Sequence, residues 1–159
     1  MKFCSSCGSS DIEQRIPAGD NRPRFVCGQC GEIFYHNPKM IVGCVARAGE
    51  RVLLCRRAIE PRYGLWTLPA GFMENQETAA QGAAREAYEE ALARTDIGHL
   101  FAQFSIAHIN QVYLLYLADL TEPDGIGAGE ESLDVGLFEE HEIPWERLAF
   151  PVMRKTLEL

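Results

Sequence analysis

The sequence predicts a mixed α/β domain, with helices layered on a sheet, behind a small β module at the N-terminus. Three observations carry this. Apolar, β-branched runs flank one long helix-forming stretch in the order strands, helix, strands, terminal helix. Two C-x2-C pairs lie within the first 37 residues and set them apart as a module of their own, leaving 38–159 for the main domain. Composition is that of an ordinary globular protein: 159 residues, 47% hydrophobic and 24% charged, enough for one core plus a small appendage.

The module comes first. Cys4-x2-Cys7-Gly8 and Cys27-x2-Cys30-Gly31 are matching knuckles separated by 19 residues, each glycine letting the backbone turn its amides towards the thiolates. Four soft thiolates in this spacing suit a closed, tetrahedral, structural Zn²⁺ site, and Ile12 to Ile16 and Arg24 to Val26 read as short strands of a zinc ribbon. Disulfides belong to small secreted scaffolds, and the paired Cys-Gly pattern does not suit a redox C-x-x-C. His36, beside Asn37-Pro38 at the boundary, reads as a packing residue because four cysteines complete the tetrahedron.

The main domain opens with Met40 to Arg47, an apolar run that reads as a central strand, and Ala48-Gly49-Glu50 turns it into Val52 to Arg56. Cys44 and Cys55 within these strands read as buried small apolar side chains. Arg56 and Arg57 leave the second strand as candidates for a substrate phosphate, and Trp66 is a candidate for stacking on a base.

Gly71 to Ala93, GFMENQETAAQGAAREAYEEALA, organises the rest. Thr78 and Gln81 have capping-box spacing, so a helix is predicted from about Ala79. At roughly 100° per residue, Glu86, Glu89 and Glu90 share one face, while Ala80, Ala83, Ala84, Ala87 and Ala91 form a second stripe that lets the helix lie close to a sheet. Crowded carboxylates repel one another unless a cation neutralises them. Hard oxygen ligands suit Mg²⁺ or Mn²⁺. Gly82 interrupts the helix at a cost of about 1 kcal/mol, so it is expected to clear space for a loop or ligand.

Beyond the helix, Ile97 to Ile106 and Gln111 to Leu120 read as a hairpin with His108 in its turn. Thr121 to Ser132 reads as a mobile loop, and Asp134 to Glu140 as a last strand. Ile143 to Glu158 reads as one or two amphipathic helices, with Pro144 in a first turn and Pro151 as an interruption.

The stretch from Gly71 resembles the Nudix box, G-x5-E-x7-R-E-U-x-E-E-x-G-U, at every fixed position except Leu92, where the family has glycine. Leucine adopts a left-handed cap only at a cost, so the helix is expected to continue to about Arg94. The resemblance implies an α/β/α Nudix sandwich with a mixed sheet, and it extends over the whole chain through the ribbon, HNPKMIVGCV, GLWTLPAGF and ESLDVGLFEEHEIPWERLAF. It further implies hydrolysis of a diphosphate bond, X-P-P-Y to X-P plus P-Y. The implied catalytic metal is held by Glu86, Glu89, Glu90 and the Ala70 carbonyl, with Arg85 orienting the carboxylates through Glu77. A base is expected in the loop before the last strand, with Glu131 preferred over Glu130. The ribbon and closing segment look most like the branch acting on FAD and ADP-ribose. Enzymes acting on NADH carry an S-Q-P-W-P-F-P segment beyond the box, whereas the corresponding region here reads ARTDIGHLFAQFSIAHINQVY. FAD and ADP-ribose are therefore the expected substrates, with NADH poorer. A non-catalytic nucleotide sensor is the alternative from another class, and the intact R-E-x-x-E-E argues against it.

Net charge −8 argues against bulk nucleic-acid or anionic-membrane binding, so the expected partner is a small nucleotide diphosphate, with a homodimer left open. MKFCSSCGSS has no apolar signal core and no 18-residue apolar run is present beyond it, so a cytoplasmic address is expected by default. Thiolates and carboxylates select different metals. Elemental analysis of the purified protein should find about one tightly held zinc per chain, with activity requiring added Mg²⁺ or Mn²⁺. Cysteines oxidised to disulfides, with no zinc present, would overturn the ribbon assignment.

Overall fold

The computed structural model describes residues 1–159 and divides them into two units, Met1–Asn37 and Pro38–Leu159. In the first, β1 (Ile12–Arg15), β2 (Arg24–Cys27) and β3 (Ile33–Phe34) form an antiparallel sheet in the order β1-β2-β3. The two-residue β3 is too short to show periodicity in the sequence. Few apolar side chains are buried here, Val26 with Cys4 and Cys27 among them, so little core exists to hold the unit without a metal. His36 packs edge-on against Phe25, with ring centroids 5.6 Å apart.

The second unit runs β4 (Lys39–Ala48), β5 (Arg51–Arg57), β6 (Trp66–Thr67), β7 (Ala70–Phe72), α1 (Ala79–Ala91), β8 (Thr95–Ile106), β9 (Gln111–Leu120), β10 (Ser132–Phe138) and α2 (Pro151–Leu157). Its seven-stranded sheet has the order β10-β5-β4-β9-β8, with β6 on β5 and β7 on β4. β4 runs parallel to β9 and the other pairs are antiparallel, so the sheet is mixed. Strand alternation divides the core between two faces. Ile41 and Val45 point to one face with Leu115 and with Val152 and Met153 of α2, while Cys44 and Ala46 meet Ala83, Ala87 and Ala91 of α1 on the other. The result is an α/β/α sandwich. No helix is long and apolar enough to cross a membrane.

A fork in the sheet places the segment that leads into α1. β4 and β5 pair only beside their turn, at Arg47–Val52 and Ala48–Arg51. Farther along, β7 pairs with Ile41 to Gly43 of β4, and β6 pairs with Cys55 and Arg56 of β5. The chain from β6 to β7 is thus held between the diverging strands.

α1 begins where the capping box predicts. The Thr78 hydroxyl accepts from the Gln81 amide at 3.2 Å, and Gln81 Oε1 accepts from the Thr78 amide at 2.8 Å. Its end corrects the expected extension to Arg94. Leu92 adopts the left-handed conformation, φ 50° and ψ 21°, and its amide donates to the Tyr88 carbonyl at 2.8 Å. The left-handed turn closes the helix locally, the Ala93 amide donating to the Ala87 carbonyl at 3.2 Å, and the loop after β9 completes the cap with the Gly127 and Gly129 amides donating to the carbonyls of Ala91 and Glu90. That loop is accordingly tethered rather than free, with Ile126 packed against the α1 face of the core. The closing segment also departs from expectation. Pro151 begins α2 instead of interrupting a helix, its ring suiting a first-turn position, and the residues after Pro144 form only a 3-10 turn, Trp145–Arg147.

The left-handed Leu92 stores a backbone cost of about 1 kcal/mol while leaving its side chain 44% exposed. Leu92→Gly should therefore raise Tm by about 2 °C and Leu92→Ala should not. Thermal melts in which the glycine variant unfolds below the alanine variant would show that contacts of the leucine outweigh its strain.

Candidate active site

Arg85, one helical turn before Glu89, is the hub of the acidic face. Its Nε and Nη2 donate to the two oxygens of Glu77 at 3.0 and 2.9 Å, a bidentate pair. Nη1 donates to Glu86 at 2.7 Å and to Glu89 at 2.8 Å, and Nη2 also donates to the Phe72 carbonyl at 3.1 Å. Glu77 takes a further bond from the Glu74 amide at 2.7 Å. The Arg85 guanidinium and then that amide hold the Glu77 carboxyl below its ordinary range. Two glycines make this packing feasible. A Cβ on Gly82 would come within 2.5 Å of Glu77 Oε1 and 2.7 Å of Val42 Cγ2, and one on Gly71 would overlap the Glu86 carboxylate. Gly82 therefore clears space for Glu77, not for a ligand.

The acids on α1 are unequal. Glu86 and Glu90 are buried, whereas the Glu89 side chain is 55% exposed. Burial raises the Glu86 pKa against the pull of Arg85. It raises Glu90 further, to about 8, helped by the charges of Glu86 and Glu131 and opposed by Arg57 and a hydrogen bond from the Ala70 backbone. The register explains the last contact. Cys44 donates to the Pro69 carbonyl and Met73 to the Met40 carbonyl, so Ala70 and Phe72 occupy the alternate positions, whose N–H and C=O groups point away from β4. Phe72 presents its carbonyl to Arg85 on that side, and the Ala70 carbonyl shares the same edge.

The remaining predicted residues separate. Glu131 is held beside the end of β5, where its carbonyl accepts from the Ala58 amide at 2.8 Å, and its charge reaches both Glu86 and Glu90. The Arg57 guanidinium lies over the Phe150 ring and its Nε donates to the Pro61 carbonyl at 2.9 Å, and its charge opposes the rise at Glu90. Arg56, in register with Trp66, donates from its Nε to the Gly64 carbonyl at 3.2 Å. Trp66, the stacking candidate, is 9% exposed in the core and packs edge-on against Phe138 at 5.0 Å. Sequence reasoning missed Ser132, whose buried hydroxyl has no hydrogen-bond partner and which sits opposite Arg57 in the sheet. No motif or periodicity marks that position. Behind Glu90, Cys44 and Cys55 are fully buried, and burial raises both thiols, Cys44 to about 12.

Cys4, Cys7, Cys27 and Cys30 bring their Sγ atoms within 4.8 Å of one another, all as free thiols. The knuckles match in detail: Gly8 and Gly31 both have φ 76° and both donate to the carbonyl of the first cysteine of their pair at 2.9 Å. Burial disfavours the Cys4 thiolate, but backbone bonds from Cys7 and Ser6 bring its pKa down to about 7. At Cys7 a bond from Ser9 is outweighed by burial and the three neighbouring sulfurs, which push it up to about 12. Such competition for protons among gathered thiols is what a tetrahedral soft cation removes. The donor set fits zinc.

For a hard cation, Glu86, Glu89, Glu90 and the Ala70 carbonyl offer oxygen donors of the right kind. The glutamates do not converge on one point as the thiols do, because Arg85 draws Glu86 and Glu89 to itself. In the metal-free protein burial keeps a proton on Glu90, and a divalent ion bound here would displace it.

The site thus combines a seven-stranded mixed sheet between two helices with a glycine turn, an arginine fork and buried helix glutamates. Residues 37–159 match the model of the NUDIX domain and residues 2–36 match the zinc-ribbon model described as Nudix N-terminal, so the chain belongs to the Nudix family. It is similar to a NUDIX hydrolase from Nitrosomonas europaea solved by crystallography, at 54% identity and TM-score 0.95, over 99% of this chain and 89% of that one. It is also similar to the NAD-capped RNA hydrolase NudC of Photobacterium profundum, 29% identical over 121 residues, and to that of Pseudomonas aeruginosa, 37% identical over 93 residues. These matches cover 75% and 56% of this chain but only 42% and 30% of the two relatives, so the chain spans well under half their length.

The raised acids set a pH dependence. Below an unfolded pKa of roughly 4.5 Glu90 is protonated in both states. As pH rises towards its folded pKa of about 8, the unfolded chain releases a proton that the metal-free folded protein retains, so stability falls through that window. Glu86 acts in the same direction. Metal-free protein should melt lower at about pH 8 than at about pH 5, the difference should shrink in Glu90→Gln, and Mg²⁺ or Mn²⁺ should reduce it in the wild type. An identical pH slope in wild type and Glu90→Gln would remove Glu90 as its source.

Proposed function

We propose that this chain hydrolyses the diphosphate bridge between a nucleoside and a second group, releasing X-P and P-Y. The observation that supports it best is the pair of buried glutamates, Glu86 and Glu90, set against the free backbone edge of β7 with both pKa values raised by burial. Glu86, Glu89, Glu90 and the Ala70 carbonyl would hold Mg²⁺ or Mn²⁺, which when bound neutralises the diphosphate and acidifies a water molecule. Arg85 fixes the carboxylates by its fork to Glu77 and its bonds to Glu86 and Glu89. Glu131, anchored at the end of β5, aligns the attacking water and takes its proton. Arg57 binds a phosphate oxygen of the substrate.

FAD, cleaved to FMN and AMP, and ADP-ribose, cleaved to AMP and ribose 5-phosphate, are the preferred substrates on the likeness of the closing segment. They share an adenosine diphosphate half, so discrimination rests on contacts with the other half. NADH is the second reading, favoured by the curated relatives named as NAD-capped RNA hydrolases. The missing S-Q-P-W-P-F-P segment weighs against it.

The test is a product-resolved assay of FAD, ADP-ribose and NADH with Mg²⁺ or Mn²⁺. Glu86→Gln and Glu90→Gln should each lower kcat by orders of magnitude without lowering Tm, because each removes a metal donor and also relieves repulsion. Near-normal turnover of either variant at saturating metal would defeat the metal-site assignment. A kcat/KM for NADH above those for FAD and ADP-ribose would replace the substrate reading and leave the chemistry standing.

A further inference from the structure

The loop after β9 lies directly on the end of α1. Gly129 rests over the last turn of the helix, where a Cβ would overlap the Glu89 carbonyl oxygen and stand 2.8 Å from the carbon that bears it. Its amide donates to the Glu90 carbonyl at 3.0 Å. Gly127 is tied to the same helix end by its bond to the Ala91 carbonyl, yet a Cβ there would meet only Leu92 Cδ1, at an ordinary 3.5 Å. Neither glycine has a positive φ, so what separates them is close approach and not backbone conformation. Gly129 also opens a turn. The Ser132 amide donates to its carbonyl at 3.1 Å, closing the chain around Glu130 and Glu131. The buried Ser132 then begins β10 opposite Arg57, and the Glu131 carbonyl accepts from the Ala58 amide at 2.8 Å. Glu131 is thus held on one side by the end of β5 and on the other, through Gly129, by the backbone of Glu89 and Glu90.

We infer that Gly129 is a positioning residue: it sets Glu131 at a fixed distance from the helix glutamates, because the loop can sit on the helix backbone only where no Cβ intervenes. The inference rests on the hydrolase reading above, with Glu131 taking the proton of the attacking water. A base must lie within hydrogen-bond reach of the proton it removes, and a misplacement of about 1 Å costs roughly 10²-fold in rate. The Glu131 side chain is exposed, so its backbone decides where the carboxylate reaches, and its charge is felt by Glu86 and Glu90. Capping the helix does not account for the glycine. A cap needs only an amide, which alanine also has; the contact with the Glu89 carbonyl is what excludes a side chain.

A double-mutant cycle tests this. With FAD or ADP-ribose and Mg²⁺, Gly129→Ala should lower kcat by about 10- to 100-fold and change KM by less than about threefold, while Gly127→Ala stays within about twofold of wild type in both. In a Glu131→Gln background Gly129→Ala should cost less than about twofold more, because a base already removed cannot be misplaced. Mn²⁺ affinity by titration calorimetry should stay within about threefold of wild type, the helix glutamates keeping their places. Ile126→Ala loosens the loop from the core without crowding the helix and should give the same pattern at smaller size, which covers a Gly129→Ala variant that its Tm shows to be unfolded. Losses that multiply in the double variant, or wild-type turnover by Gly129→Ala or Glu131→Gln, would overturn the positioning role and leave the hydrolase intact. So would an Ala58 amide that keeps its full protection from hydrogen exchange in Gly129→Ala. A wild type that hydrolyses no dinucleotide would instead defeat the hydrolase reading, and this role with it.

Discussion

One guanidinium answers for most of the charge at the centre of this protein. Arg85 touches Glu77, Glu86, Glu89 and the Phe72 carbonyl, tying the loop before the helix, the helix itself and strand β7 into one arrangement. A planar fork with fixed donors can do this; a lysine at the same position would bring one point charge and no bidentate geometry. Arg85 engages Glu86 but not Glu90, and burial raises Glu90 until it holds a proton up to about pH 8. A divalent ion bound at the two acids would take the place of that proton and stabilise the folded state.

The sheet fork makes the arrangement possible. Because β4 and β5 separate after their turn, the segment Trp66 to Phe72 can enter between them and leave its unpaired backbone edge facing α1. The alanine stripe then brings α1 close enough for Glu86 and Glu90 to reach that edge. The same logic closes the far end of the helix, where the Gly127 and Gly129 amides satisfy the carbonyls of the last turn and hold the loop that carries Glu131. Loop, helix and strand thus constrain one another, and the residues around the acids are fixed by backbone contacts more than by their own side chains.

The zinc-ribbon unit works by a different principle. It buries little apolar surface, so four thiols, positioned by repeated glycine turns, must supply through a metal what its core lacks. Soft donors in the ribbon and hard donors in the main domain would let a soft and a hard cation be sorted by chemistry alone.

What could be read from the sequence was local. The capping box, the carboxylate face, the cysteine knuckles and most strands depend on spacing along the chain, and spacing is visible without a fold. What could not be read was set by partners distant in sequence. The last carbonyls of α1, at Glu90 and Ala91 beside the left-handed Leu92, are satisfied by Gly129 and Gly127, far along the chain. Trp66 turns inward because Phe138 and the α2 face of the core enclose it, and the adjacent Arg56 and Arg57 part company, Arg56 donating to the Gly64 carbonyl while the Arg57 guanidinium lies over Phe150. Sequence periodicity decides which residues share a face; only tertiary packing decides what that face meets.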